Sequence, residues 1–316
     1  MAYPHDSMAS MARLALLAVA GTCVLALPTI AGPKQFTRAR TAFVELDAVV
    51  VDRNGRPVEG LQQGDFQVKE DGHPVAVTSF REVSAAGISG QSDARSVVLL
   101  LDDNAVPPNA TTIVQNIASL FVSFARPADS IAVVRLTHRE DEVAGGIPGA
   151  LERIAEYRAG SLSFFGRNIM DDLLQTVTRV AHQVERIDHR HKVLVCIGAR
   201  SVCDPYLQVP ENSMLWTSWR DALSATARAN ASVYVVSPAG VAGGFDLGGG
   251  LVETTGGGAF VGSNDFERDA RMIWNEAGHY YLLGYTPTAS RRDLHTIDVS
   301  IRRSGLHTRA RQRRGD

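Results

Sequence analysis

The chain has 316 residues, with 32 lysines and arginines against 34 aspartates and glutamates, and 45% of its residues are hydrophobic. This composition is that of an ordinary folded protein, and it excludes a disordered or collagen-like chain. The formal net charge of −2 gives no basis for binding nucleic acid. The length fits two structural units, or one large domain with a smaller one appended.

The first segment of the chain has the pattern of an export signal. Arg13 precedes the apolar run Leu14–Leu27, and small residues follow up to Gly32. A basic flank, an apolar core and a small-residue exit are typical of a secretory signal, which we assign to residues 1–32. The alternative is an uncleaved anchor, because the uncharged stretch is long enough to span a bilayer. Both interpretations predict an exported protein, periplasmic or secreted, and only an uncleaved segment would hold it to a membrane.

Residues 40–90 are rich in predicted strands. Alternating or β-branched runs begin at Phe43, Phe66 and Val75, and the turn signals Asn54-Gly55 and Asp71-Gly72 separate them. This pattern predicts an antiparallel meander followed by a linker rich in small residues. Because a small sheet needs cover for its apolar face, its partner must come from elsewhere in the chain.

Residues 95–277 alternate between apolar runs and helical patterns. The runs are typical of strands buried on both faces, and the alternation predicts a doubly wound, mostly parallel sheet with helices on both faces. The predicted strands are Val97–Leu101, Ile131–Leu136, Lys192–Ile197 and Ser232–Val236. The predicted helices are Thr111–Ala125, Asp171–Val184, Trp219–Ala229 and Phe266–Ala277.

Residues 278–312 return to strand patterns, at Tyr280–Tyr285, Thr296–Ile301 and Thr308–Arg311. We expect these strands to pair with those of residues 40–90, so that the α/β domain is inserted into a small antiparallel β-sandwich. The many arginines between Arg291 and Arg314 are expected on a solvated edge strand and tail, where charge discourages aggregation.

Two cysteines remain if the leader, with Cys23, is removed. A bridge between Cys196 and Cys203 would suit an oxidising compartment. Cys196 also lies inside an apolar run, so a buried free thiol is the alternative.

Several segments together resemble one family, the von Willebrand factor A-related proteins of acidobacteria and similar soil bacteria. The resemblance covers most of the chain after the leader, and it implies a von Willebrand factor A-like α/β domain. The matching segments are Val49–Val58, Glu70-Asp71-Gly72, Val97–Asp102, Lys192–Val195, Ala227–Tyr234, Glu253–Phe260, Tyr280–Pro287 and Gly305–Arg311.

The resemblance also implies a metal-ion-dependent adhesion site, built from an Asp-x-Ser-x-Ser loop, a threonine and a further aspartate. Hydroxyl and carboxylate oxygens of this kind are ligands that Mg²⁺ prefers. Here the first loop reads Asp102-Asp103-Asn104-Ala105-Val106, Asn168 stands where the threonine is expected, and Ala199-Arg200 replaces the last motif. We therefore expect a degenerate site, with Asp102, Asn104 and Asn168 as the candidate metal ligands.

These residues predict a non-catalytic, exported module that recognises an unidentified protein or surface without a cofactor. The predicted binding edge is formed by Asp102, Asp103, Asn104, Asn168 and Arg200. One alternative is a Mg²⁺- or Mn²⁺-dependent adhesion protein with altered ligands. A shallow edge where Asp102 faces Arg167 or Arg200 would favour the first hypothesis over this one.

The other alternative is an enzyme whose residues converge only in three dimensions. The chain has no Gly-x-Ser-x-Gly elbow and no His-Glu-x-x-His helix, so no catalytic motif is present in the sequence. The grouping of His182, Glu185, His189 and His191 raises the question of a zinc site, but it is more typical of a solvated helix end. Histidine and carboxylate side chains meeting in one deep pocket would favour an enzyme.

Overall fold

The computed structural model describes residues 43–84, 94–160, 169–187, 191–198, 213–242, 250–287 and 295–314. Its strands are β1 (Val44–Val51), β2 (Phe66–Glu70), β3 (His73–Val75), β4 (Val77–Ser84), β5 (Ser96–Leu101), β6 (Ser130–Arg135), β7 (Lys192–Ile197), β8 (Ala231–Val236), β9 (Ala259–Phe260), β10 (His279–Tyr285), β11 (His295–Ile301), β12 (His307–Ala310) and β13 (Arg313–Arg314). Its helices are α1 (Thr111–Ser123), α2 (Gly146–Glu156), α3 (Ile169–Val184), α4 (Met214–Ala229), α5 (Leu251–Thr254) and α6 (Phe266–Gly278). Among these described helices none is long and apolar enough to cross a membrane. The predicted leader lies outside the described residues.

A five-stranded parallel sheet forms the centre of the α/β part, with the order β6-β5-β7-β8-β9. The helices α1, α2 and α6 pack on one face, and α3, α4 and α5 pack on the other. Counted in chain order, the strands read 2-1-3-4-5, which is one of the two common doubly wound orders. The predicted α/β class is therefore confirmed.

The two ends of the chain pair with each other in two antiparallel sheets, β12-β1-β10-β4 and β13-β11-β2-β3. Apolar side chains from both sheets, among them Leu46, Phe66, Tyr281 and Ile297, share one core, so the sheets form a sandwich. The predicted meander of N-terminal strands is wrong. β1 and β4 lie in one sheet, with β10 between them, while β2 and β3 lie in the other. Alternation shows which face of a strand is buried, but it does not identify the neighbouring strand.

The sandwich covers the amino ends of the parallel strands. Asp47 of β1 accepts a hydrogen bond of 2.7 Å from Asn230 Nδ2, and its Oδ2 lies 2.7 Å from His191 Nδ1. His191 and Asn230 immediately precede β7 and β8. A second apolar cluster on β1, β4 and β10, which includes Val51 and Tyr280, is also buried. The carboxyl ends of the parallel strands therefore lie at the far side from the sandwich.

The expected solvated edge strand is found only in part: β12 is an edge strand and Arg302 and Arg303 are exposed, but Arg309 and Arg311 have partners in the α/β part. Arg309 donates to both carboxylate oxygens of Glu276 at 2.8 Å, and Glu276 is fully buried. Arg311 donates to the Ala227 carbonyl at the end of α4. Cations are favourable at a helix carboxyl terminus, where main-chain carbonyls lack partners within the helix. These arginines therefore join the end of the chain to the α/β part.

Candidate functional site

The candidate site lies where two central strands end. The strands β5 and β7 are neighbours, but the helices that follow them, α1 and α4, pack on opposite faces of the sheet. Doubly wound folds bind their ligands at such a switch point. Asp102 follows β5, and its N–H donates to the Ile197 carbonyl at 3.1 Å. A Cβ on Gly198 would lie 2.9 Å from Asp102 Oδ2. Only glycine therefore allows the chain after β7 to approach this carboxylate so closely.

The carboxylate of Asp102 holds its own loop. Its Oδ1 accepts hydrogen bonds from the N–H groups of Asn104 (3.1 Å) and Ala105 (2.7 Å), and the residue is only 6% exposed. The Asp102 carbonyl accepts a bond of 2.7 Å from the Tyr157 hydroxyl. Burial, together with the charges of Asp102 and Asp103, raises the pKa of Tyr157 well above its usual range, so the hydroxyl remains a donor. The loop is thus fixed from both sides.

Asp103 ties this loop to the residues after β6. Its Oδ1 accepts from the Thr137 N–H at 3.0 Å, and its Oδ2 accepts from the Thr137 hydroxyl at 2.6 Å. The same Oδ2 lies 3.0 Å from His138 Nδ1. Gly160 packs against the Asp103 carbonyl, which a Cβ would approach to 2.2 Å. Neither aspartate therefore offers a freely moving carboxylate to a ligand.

Two further carboxylates reach the edge from α3. Asn104 Nδ2 donates to Asp172 Oδ2 at 3.3 Å. Asp171 accepts from the Ser218 hydroxyl of α4 and from Gln175 Nε2 at 2.6 Å. The edge is consequently acidic but internally paired.

The structure brings three of the five predicted edge residues together, namely Asp102, Asp103 and Asn104. Asn168 and Arg200 lie outside the described residues, as does Arg167, so the predicted proximity of arginines stays a prediction. Within the described part of the chain, no group of three or more histidine, cysteine, aspartate or glutamate side chains is arranged to hold a metal ion.

The histidines that are close in sequence have different surroundings. His182 is half-exposed and lies 3.8 Å from Glu185 Oε2, whereas His191 is buried against Asp47. His189 lies outside the described residues. Cys196 is buried and has no disulfide partner among the described residues, and burial raises the pKa of its thiol to about 12. Cys203 lies outside the described residues, so the proposed bridge stays a prediction.

The sequence did not identify the residues that partner the predicted edge. Thr137 and His138 could have been found from their position directly after a buried strand, since parallel strands end at a common edge. Asp171 and Asp172 lie in the first turn of α3, and could have been found because a crossover helix between parallel strands begins at the carboxyl edge of the sheet. Tyr157 and Ser218 have no local signal, because only packing brings them to this edge.

A histidine and two glutamates also meet at the start of β10, away from the predicted edge. His279 Nε2 lies 3.3 Å from Glu82 Oε1, and Nδ1 lies 3.8 Å from Glu59 Oε1. Neither ring nitrogen has a hydrogen-bond partner among the described residues. His279 and Glu59 line a cleft of about 430 Å³ beside Trp274. The contact between His279 and Glu82 is of the kind that the enzyme hypothesis requires, since imidazole and carboxylate can exchange a proton.

No family model matches this chain, and no curated protein matches it. Among solved structures, the human COPII-coat protein Sec24c is similar with 9% sequence identity and a TM-score of 0.35. The match covers 70% of this chain and 44% of that chain, so this chain spans less than half of the length of that structure. A likeness at this level does not assign the chain to a family.

Proposed function

We propose that this chain is a non-catalytic, exported recognition module of the von Willebrand factor A-like type, which binds a protein partner at the carboxyl edge of its parallel sheet. One observation carries the proposal. The Asp102 carboxylate, the candidate metal ligand, accepts two main-chain N–H groups of its own loop. Its charge is therefore used to shape the edge, and the edge itself is the surface offered to a partner.

The edge has the properties of a preorganised surface. The hydrogen bond between Asp103 and Thr137 joins the loop after β5 to the loop after β6. The hydrogen bond from Asn104 to Asp172 joins the loop after β5 to α3. The His138 side chain remains 38% exposed at this edge. Because these groups are already ordered, binding would cost little further conformational entropy. The sandwich covers the opposite edge of the sheet, which leaves this one for a partner.

The alternative is metal-dependent adhesion through Asp102, Asn104 and Asn168. Mg²⁺ demands near-ideal octahedral geometry and is held by one or two carboxylates together with waters. To bind it, Asp102 Oδ1 would have to give up bonds to Asn104 and Ala105 or share its lone pairs with them. We therefore rank this alternative second, and the enzyme hypothesis, which rests on the contact between His279 and Glu82, third.

Thermal unfolding of the full chain with and without millimolar Mg²⁺ or Mn²⁺ separates the first two hypotheses. A ligand at a hundred times its dissociation constant would stabilise the fold by about 2.7 kcal/mol, which shifts Tm by several degrees. We expect no shift in the wild type. If the metal raises the Tm of the wild type and of Glu152→Ala but not that of Asp102→Ala, the edge holds a metal ion.

Photo-crosslinking tests the partner directly. A photoreactive residue at the position of Asn104 should give a discrete crosslinked species in the exported fraction, because Asn104 lies at the proposed contact. The matched control places the same residue at the position of Glu152, which is exposed on α2. Equal crosslinking from both positions would contradict recognition at the carboxyl edge.

A further inference from the structure

A separate cleft lies near the amino end of the parallel sheet, between β11, β12 and the segment Gly256–Gly258. Its volume is about 650 Å³, within the range of small-ligand sites. β11 and β12 are consecutive in the chain but belong to different sheets, so the sandwich opens between them. The cleft shares no residue with the carboxyl-edge site.

Main-chain groups of both strands are directed into this opening. The Val58 N–H donates to the Val50 carbonyl at 2.9 Å on the side of β1 away from β12. Thr308 of β12 lies opposite Val50. Because the Val50 carbonyl points away from β12, these two residues form a non-hydrogen-bonded pair of the antiparallel ladder. Thr308 therefore directs its own N–H and C=O away from β1. The Ile297 N–H donates to the Gln312 carbonyl, and by the same alternation Val299 directs its main-chain groups towards β12.

The Thr308 side chain adds a hydroxyl to the same wall. Its Oγ1 is buried and has no hydrogen-bond partner among the described residues, and Thr308 lines the cleft. A buried hydroxyl without a partner is unfavourable, and such groups are uncommon in folded proteins. This hydroxyl is therefore placed to accept a hydrogen bond from a ligand.

Two carboxylates lie at the rim of the cleft. The guanidinium of Arg309, which lines it, is committed to Glu276 at 2.8 Å. Glu253 and Asp298 are exposed at the rim, and neither carboxylate has an ion pair or hydrogen bond with another described residue. The lining therefore combines two exposed carboxylates, of which Asp298 lies opposite Lys69 across the β11–β2 pair, with carbonyl and hydroxyl acceptors.

We propose that this cleft binds an organic cation with several N–H donors, either a guanidinium or a primary ammonium group. Such a cation would pair with Glu253 and Asp298 while its N–H groups donate to the Thr308 hydroxyl and to strand carbonyls. The same chemistry is supplied by a free small cation or by an arginine or lysine side chain of a polypeptide. The inference is independent of the function proposed for the carboxyl edge.

Calorimetric titration of the full chain tests this proposal with three probes: agmatine, the capped peptide Gly-Ser-Arg-Ser-Gly, and the same peptide with glutamine for arginine. We expect agmatine or the arginine peptide to bind and the glutamine peptide not to bind. Tighter binding of the arginine peptide than of agmatine assigns the ligand to a polypeptide side chain. Equal or weaker binding assigns it to a free cation. Absence of binding by both cationic probes would overturn the proposal.

Variants locate the binding in the cleft. In Glu253→Gln/Asp298→Asn, the dissociation constant should rise about tenfold or more, because two charge-assisted contacts are lost. Glu152→Gln, an exposed carboxylate on α2, is the matched control and should bind like the wild type. Unchanged binding in the double variant would overturn the proposal. Asp102→Ala, which alters the carboxyl edge, should leave cation binding in the cleft intact. A failure of the function proposed for the carboxyl edge is therefore distinguishable from a failure of this proposal.

Thr308→Val separates a ligand role from a structural one. Valine has the shape of threonine without the hydroxyl, so removal of a buried unpartnered group should leave Tm unchanged or raise it. Cation binding should nevertheless weaken by about fivefold, because one acceptor is lost. Unchanged affinity in this variant would contradict the role assigned to the hydroxyl.

Discussion

At the scale of single residues, a buried carboxylate with two arginine partners lies at Asp129. Its side chain is fully buried, and it accepts hydrogen bonds from Arg95 and Arg126 through both side-chain and main-chain groups. Burial by itself would raise the pKa of Asp129, but the bonds from the two arginines outweigh it and hold the pKa far below its usual value. Arg95 also lies over the Trp274 ring, at 4.3 Å from its centroid. This carboxylate therefore anchors the start of the parallel sheet to α6.

The lowered pKa of Asp129 predicts an acid-dependent loss of stability. The ionised Asp129 adds to the free energy of unfolding at pH values above its unfolded-state pKa of about 3.9. This stabilisation is lost as the pH falls towards the pKa of Asp129 in the folded state. Asp129→Asn should lower the free energy of unfolding by about 3 kcal/mol at neutral pH, because it leaves the arginines without their anion. Urea unfolding between pH 7 and pH 3 measures both effects. An identical pH dependence in the variant and in the wild type would contradict the assignment.

Cys196 gives a second prediction at this scale. Because burial raises the pKa of its thiol to about 12, Cys196 of the folded protein should not react with iodoacetamide at pH 8. A free thiol becomes reactive when the chain is unfolded without reductant, whereas a bridge to Cys203 keeps it unreactive until reductant is added. Mass spectrometry of the alkylated chain distinguishes these outcomes and tests the bridge that the sequence suggests.

At the scale of elements, a run of glycines sets how closely two parts of the chain approach. A Cβ on Gly257 would lie 1.8 Å from the Val233 carbonyl oxygen of β8, and a Cβ on Gly258 would lie 2.6 Å from Arg309 Nη1. A contact with a main-chain atom cannot be relieved by a change of rotamer, so the first position is the stricter. The sequence shows a glycine-rich segment here, but only the packing explains why larger residues do not fit at these positions.

Gly257→Ala should therefore destabilise the protein by about 3 kcal/mol, since the backbone of β8 or of the glycine segment has to move. Gly64→Ala is the matched control, because Gly64 is exposed and a Cβ there meets nothing within 4 Å. Its Tm should stay close to that of the wild type. If the two variants unfold at the same temperature, the close approach at Gly257 is not as described.

The elements themselves were predictable to differing degrees. The helices α1, α3 and α6 begin and end within a few residues of the predicted bounds, because each has a clear apolar period. The prediction missed α2, which opens Gly146-Ile-Pro-Gly149. Glycine and proline normally indicate a loop, but here tertiary packing against β6 overrides this local preference. Asp102, Asp103 and Asn104 were identified, whereas their partners in the segment after β6 and in α3 were not.

At the scale of the whole molecule, the sandwich and the α/β part are joined by a buried polar contact. Asp47 is 7% exposed and binds both His191 and Asn230, and Arg311 donates to Asn230 Oδ1. All three described tryptophans lie in the α/β part, so their fluorescence reports on it alone. Far-UV circular dichroism reports on both parts.

Asp47→Ala should lower the free energy of unfolding by about 3 kcal/mol, because buried polar groups on the α/β part lose their partner. In the wild type we expect the fluorescence and circular dichroism transitions in urea to coincide, since the sandwich needs both chain ends. Asp221→Ala, an exposed carboxylate on α4, is the control and should change little. Separate transitions in the wild type would show that the two parts unfold independently.

The sequence by itself determined the α/β class, the order of the longer strands and of α1, α3, α4 and α6, and the position of an acidic loop after the first parallel strand. These features follow from periodicity and from where apolar runs end, which are local properties. Only the tertiary structure decided which strands share a sheet and that Asp102 bonds to its own loop. It also decided that Arg309 and Arg311 reach partners in the α/β part and that a cleft opens between β11 and β12. Such features depend on contacts between residues far apart in the chain, and a local pattern does not encode which distant group fills a given position.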